Sequence, residues 1–396
     1  MTFKYSTHLP NTENDTLGAI LDAAANPEVI SLAGGLPAAE LFPVEDFRAS
    51  ANRVFDKQGA AALQYGEAAG LPALRNEVAK NFLKPRQIEG GVKNIAISTG
   101  SEQAIEQIAK MFIDEGDTVF VEAPTYLCTV DVFRSFGAKI VTVPMDEDGM
   151  RMDALEEALK AHPEVKLIYT IPTFQNPTGR TMPVERRKQF VELAEKYDVP
   201  VLEDDPYGAI RYSGEAVPPL KAFDKTGNVI YMSSFSKILA PGFRLGFVVA
   251  SEDFIVNFTL MKQMADLHSD NFSQYLVADY LKHNDVNKHI EKISALYKHR
   301  FELMQSLIES EFPAGVKHSN PEGGMFIWCQ VPGDIDTMAL FNECAKQGVA
   351  FVPGEPFYAG DSESGTMRLN FSNVDDDTIR EGMKRLGAAI KKFLDK

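Results

Sequence analysis

Cysteine is scarce in this chain: Cys128, Cys329 and Cys344 are the only three in 396 residues, and none stands in a Cys-x-x-Cys spacing. An odd, scattered set excludes a disulfide framework and a thiolate metal site, and it fits a reducing compartment. The seven histidines are equally dispersed, with no ligand spacing for a metal. Positive charge is also short. Forty basic against fifty-six acidic residues leave a net charge of −16 and a pI near 5.0, which argues against nucleic acid or an anionic membrane as partner. No uninterrupted apolar run approaches the ~20 residues of a membrane span, and the first eight residues lack the apolar stretch of a secretory signal. A cytoplasmic, soluble protein is expected. What is present is a composition 44% hydrophobic and 24% charged, ordinary for a globular chain with a sizeable core. The length suits about two or three domains.

From residue 93 onward, short β-rich runs alternate with helical periods. Strands are expected at 94–98, 118–122, 139–143, 166–171, 199–203, 229–233 and 245–250. Ile105, Ile108, Ala109 and Phe112 recur at helical spacing between the first two, and Phe190, Leu193, Ala194 and Tyr197 do so farther on. Strands that are apolar on both faces and separated by helices predict an α/β fold whose mostly parallel sheet is covered on both sides. A long helical pattern over 286–311 leads to strands near 325–331, 349–351 and 367–371 and a final amphipathic helix, which together predict a smaller α+β domain. The expected division is an N-terminal arm with part of the small domain (1–45), a large cofactor-binding domain (46–285), and an interdomain helix with the small domain (286–396). The arm carries a weak apolar pattern and one short helix.

Ligands of such sheets bind beyond the carboxyl ends of the strands, and the notable residues fall there. In Ser233-Ser234-Phe235-Ser236-Lys237 a lysine follows a row of hydroxyls, and Arg244 comes seven positions later. An amine can form an imine with an aldehyde while hydroxyls and a guanidinium hold a phosphate. Gly100-Ser101-Glu102 opens a helix after a strand, either as an ordinary cap or as a phosphate cradle. Tyr126, after the strand at 118–122, is placed to stack on a ring, although packing alone explains a single tyrosine. Asn176 lies in the breaker-rich loop Thr173 to Gly179, where an amide can meet a phenolic oxygen. Glu203-Asp204-Asp205-Pro206-Tyr207 ends a buried strand in consecutive acids, and a carboxylate buried there needs a partner such as a protonated pyridine nitrogen. A solvated acidic turn accounts for Asp205 better than for Asp204. Arg368 sits inside the apolar strand 367–371, paired either with a structural acid or with a substrate carboxylate.

Together these residues resemble the fold-type I pyridoxal-phosphate aminotransferases of class I/II, in the subgroup of 2-aminoadipate and kynurenine aminotransferases and the catalytic halves of MocR-type regulators. The likeness runs from Ser31-Leu32-Ala33-Gly34-Gly35 to Arg368. It implies that Lys237 carries pyridoxal 5'-phosphate as an imine and later shuttles a proton. It implies that Asp204 pairs with the pyridine nitrogen, that Asn176 and Tyr207 bind the phenolic oxygen, and that Tyr126 stacks on the ring. Ser101, the Glu102 backbone, Ser234, Ser236 and Arg244 would hold the phosphate. Tyr65 matches a tyrosine that reaches the phosphate from a neighbouring subunit, so a homodimer is implied. Arg368, with Asn176 and the Gly34-Gly35 backbone, would take the α-carboxylate of an amino acid or 2-oxo acid.

Two departures stand out. Relatives often carry glutamine where this chain has Glu102, whose carboxylate is expected to point away from a phosphate. Relatives acting on 2-aminoadipate carry an arginine where Gly18 falls here, which tilts the donor towards aromatic or large aliphatic amino acids, with 2-oxoglutarate the expected acceptor. A pyridoxal-phosphate lyase or decarboxylase would use the same residues. A ligand-sensing regulator would need a DNA-binding domain ahead of a core that begins within about 30 residues of Met1, too few by domain size.

Overall fold

The computed structural model describes residues 28–395 together with 3–6, 8, 9, 18 and 26. The short helix expected in the arm lies almost wholly outside the described residues. The strands in chain order are β1 (Ile30–Ser31), β2 (Ile95–Ser98), β3 (Thr118–Ala123), β4 (Lys139–Asp146), β5 (Gly149–Met150), β6 (Leu167–Thr170), β7 (Val201–Asp204), β8 (Val229–Ser234) and β9 (Gly246–Val249). Beyond these come β10 (Lys317–His318), β11 (Phe326–Gln330), β12 (Val349–Ala350), β13 (Val352–Pro353) and β14 (Thr366–Asn370). The main sheet has the order β2-β9-β8-β7-β6-β3-β4-β5. Strands β8, β7, β6, β3 and β4 pair in parallel, while β9 and β5 run against their neighbours. The class is α/β, and the mostly parallel sheet read from the sequence is present.

Its helices are α1 (Val44–Ala62), α2 (Pro72–Val78), α3 (Gly100–Phe112), α4 (Leu127–Ser135), α5 (Met152–Ala161), α6 (Val184–Tyr197), α7 (Glu252–Asp266) and α8 (Asn271–His283). Strand side chains alternate between two covered faces. Val119, Val121, Leu167, Tyr169 and Leu202 share one apolar cluster with Ile105 and Ile108 of α3 and Phe258 of α7. Their neighbours Phe120, Ile168 and Val201 pack instead with Leu155 and Leu159 of α5 and Phe190 of α6. Burial on both faces removes any polar alternation, which is why these strands read as plain apolar runs.

Helix α9 (Val286–Glu311) spans the range its pattern predicts. After it, α10 (Thr337–Lys346) and α11 (Asp376–Leu394) flank an antiparallel sheet of order β10-β11-β14-β13. Trp328 on β11 pairs with Arg368 on β14, so Phe326, two residues earlier on the same face, lies diagonally against the arginine. The strand β1 joins the far side by pairing with β12, which brings the Ala33-Gly34-Gly35 segment over the end of the main sheet. Among the described residues no helix is long and apolar enough to cross a membrane.

Candidate active site

The carboxyl ends of β3, β6, β7 and β8, the start of α3 and the outer face of β14 enclose a cavity of about 390 Å³. Ser101, Glu102, Tyr126, Asn176, Asp204, Tyr207, Ser234, Ser236, Lys237, Arg244, Gly35 and Arg368 all line it, so residues scattered over more than three hundred positions meet in one place. Tyr65 is the exception. It is 78% exposed, stands edge-on to His268 at 5.7 Å, and does not line this cavity.

Asp204 ends β7 and is 3% exposed. Its Oδ2 accepts from the Tyr169 hydroxyl at 2.8 Å, whereas Oδ1 is buried without a partner. Burial drives its carboxyl up to about 8, against the pull of the Tyr169 hydrogen bond and helped by the charges of Glu102, Asp205 and Glu122. A lone acceptor atom aimed into a cavity is the complement of a ring N–H. Asp205 corrects the sequence expectation. It is buried, not a solvated turn, because Arg86 pairs with it, Tyr231 donates to it at 2.9 Å and the Gly208 N–H does so too. Arg86 and Tyr231 come from distant segments that nothing local announces.

Lys237 follows β8, and its Nζ donates to the Gly35 carbonyl at 2.7 Å. Loss of hydration and the nearby Arg368 and Arg244 charges lower its pKa to about 8, so roughly a tenth of the amine is neutral and nucleophilic at pH 7, far more than for an ordinary lysine. Uptake of pyridoxal phosphate by the apoprotein is therefore expected to speed up about tenfold per unit as pH rises towards 8 and to level above it. Stopped-flow absorbance checks this; a rise continuing to pH 10 would mean an unperturbed lysine.

The turn between β2 and α3 needs glycine twice. Gly100 adopts φ +79°, and a Cβ at Gly246 on β9 would stand 2.9 Å from the Ser233 carbonyl and 3.1 Å from the Ser101 nitrogen. The sheet thus presses directly against the start of α3. The residue before the helix, Thr99, makes no side-chain cap, so the first amides stay available to an anion. Ser234 donates to Ser236 at 2.9 Å beside them.

Arg368 is 8% exposed and lies over the Phe326 ring at 4.2 Å and the Phe357 ring at 5.0 Å. Its Nη1 donates to Asn176 Oδ1 at 2.8 Å and its Nη2 to the Ala33 carbonyl at 2.9 Å, while Nε has no partner. Burial lowers its pKa to about 10, leaving it charged. No carboxylate of the described residues pairs with it, which removes the structural ion pair as its explanation. The Asn176 loop is anchored from below: Gln175 bonds Glu122 at 3.1 Å and the Pro124 carbonyl at 2.8 Å.

An unpartnered Oδ1, an uncapped helix start, a lysine of lowered pKa and an arginine without its acid suit a phosphorylated pyridine aldehyde and its amino-acid substrate. The comparisons agree. Residues 27–386 match the profile of the family described as aminotransferase class I and II. The chain belongs to that family. It is 45% identical to aromatic-amino-acid aminotransferase 1 of Thermococcus litoralis, over 95% of this chain and 91% of that one. It is 37% identical to the 2-aminoadipate transaminase of Thermus thermophilus, over 96% and 94%. The crystal structure of Pyrococcus horikoshii kynurenine aminotransferase with PMP superposes with a TM-score of 0.93 at 42% identity, covering 98% and 96%. This aminotransferase uses pyridoxal phosphate and acts on amino acids and 2-oxo acids.

Sequence reasoning missed several residues in and around its site. Tyr169 and Phe326 are aromatics inside apolar strands, indistinguishable there from core. Phe357 lies in a short turn, and Glu122 looks like an ordinary strand-end acid.

Proposed function

We propose that this aminotransferase takes the amino group of an aromatic or large aliphatic L-amino acid and passes it to a 2-oxo acid, with 2-oxoglutarate the first acceptor to test. One observation carries the reading. The cations lining the cavity are Lys237, Arg244 and Arg368, and each has a task already: the aldehyde, the phosphate and the α-carboxylate. Among the described residues none is left for a second, distal carboxylate of the donor. The rest of the lining includes Leu36, Leu127 and Phe326 instead, which favours an apolar side chain. Gly18 brings no charge either.

Bound pyridoxal phosphate supplies an electron sink that makes the donor's α-carbon acidic. Lys237 Nζ, neutral once freed, takes the α-proton and returns it one position along. Asp204 Oδ1 keeps a proton on the ring nitrogen. Asn176 and Tyr207 would meet the phenolic oxygen, Tyr126 would cover the ring, and Ser101, the Glu102 amide, Ser234, Ser236 and Arg244 would hold the phosphate. Arg368 fixes the carboxylate so that the α-hydrogen faces the lysine.

Tyr65 is read as a residue of the partner's site in a homodimer. Its exposure supports this, as do Val256, Leu260 and Met264, more than half exposed at four-residue spacing along α7. The acidic surface and three free cysteines favour a cytoplasmic setting. The division into 1–45, 46–285 and 286–396 is kept as a proposal, supported by the placing of one sheet within 95–249 and another within 317–370.

A donor panel tests the specificity. With 2-oxoglutarate fixed, kcat/KM for phenylalanine or leucine is expected to exceed that for 2-aminoadipate by about tenfold or more. A clear preference for 2-aminoadipate would overturn it.

A further inference from the structure

The start of α3 gathers donors for an anion, yet it also carries one. Amides of the first turn are uncapped by Thr99, and the Arg244 guanidinium lies so near that a Cβ at Gly100 would stand 2.8 Å from its Nη2. Glu102, in that same turn, lines the cavity, and its Oε1 accepts from the Tyr126 hydroxyl at 2.7 Å. Among the described residues no lysine, arginine or histidine forms an ion pair with it. Its charge is felt across the site, where it adds to burial in raising the carboxyl of Asp204.

We propose that Glu102 does two opposed things: its carboxylate tethers Tyr126 against the cofactor ring, and its charge weakens the grip on the cofactor's phosphate. The inference rests on the phosphate site assigned above. A hydrogen bond from a tyrosine needs only an acceptor oxygen, which an amide supplies equally well. The negative charge is a separate property, and within the same partly enclosed cavity it is repulsive to a phosphate dianion held at the start of its own helix. Helix amides, two serines and Arg244 outweigh that repulsion without cancelling it. Cofactor retention is thereby held below what the cradle could reach.

Glu102→Gln separates the two roles, because it keeps the acceptor and removes the charge. Trp328 is the only tryptophan and packs edge-on to Phe357 at 5.8 Å, beside Arg368, so its fluorescence reports occupancy without turnover. Titrated into the apoprotein, pyridoxal phosphate is expected to bind Glu102→Gln about tenfold more tightly than wild type, whereas pyridoxal, which has no phosphate and feels the charge only through Asp204, gains far less. Inorganic phosphate should raise the Tm of the apo variant more than that of wild type. Tyr126→Phe, which removes the tether and leaves the charge, should gain no affinity. The proposal fails if Glu102→Gln gains nothing, if pyridoxal tightens as much as its phosphate, or if Tyr126→Phe tightens equally. Wild-type apoprotein that ignores pyridoxal phosphate altogether would instead sink the cofactor site itself.

Discussion

Lys237→Ala is expected to lower transamination by about 10⁴-fold, the upper end of what a single positioned base supplies, because the covalent anchor goes with it. The effect follows from position. Lys237 stands beyond β8 with its amine 2.7 Å from the Gly35 carbonyl, and its pKa near 8 reflects lost hydration and two neighbouring cations. Among the residues lining the cavity no other amine is present to take over. Single-turnover transamination measures the loss. Borohydride reduction followed by denaturation gives a second readout: wild type retains the cofactor and the variant releases it. Activity falling by less than about tenfold would place the proton transfer on another group.

Arg368→Leu is expected to reduce kcat/KM for amino acids by about 10² to 10³-fold, the usual consequence of removing a buried charged partner. The fork is preassembled between Phe326 and Phe357 and held by Asn176 and the Ala33 carbonyl, so little reorganisation is needed when a carboxylate arrives. The residues proposed to hold the phosphate are others, so the affinity for pyridoxal phosphate should stay within about threefold of wild type. A variant that loses the cofactor but keeps normal KM would assign Arg368 to the wrong ligand.

Much of this site is written in residue types that are out of place. A lysine after hydroxyls, an acid ending an apolar strand and an arginine inside another are each costly to bury, and the cost is what made Lys237, Asp204 and Arg368 visible. The parallel sheet was legible for a related reason, since strands buried on both faces leave uninterrupted apolar runs. Helix α1 left no comparable mark: its apolar residues are mixed with Arg48, Arg53 and Lys57, and only Phe47, Ser50, Val54 and Ala62 are buried. Asp205 was misread because its rescue by Arg86 crosses 119 positions. Tyr169 could not be seen at all, because a tyrosine in an apolar strand becomes meaningful only once the acid it touches is known.

The carbonyls of Ala33 and Gly35 already occupy the guanidinium fork and the lysine amine before any ligand arrives. At the guanidinium a visitor must therefore outcompete a single main-chain oxygen, and a neutral acceptor offers no advantage over it. Only a full negative charge does. Amino-acid amides and esters are expected to bind more weakly on this account, whatever their side chains.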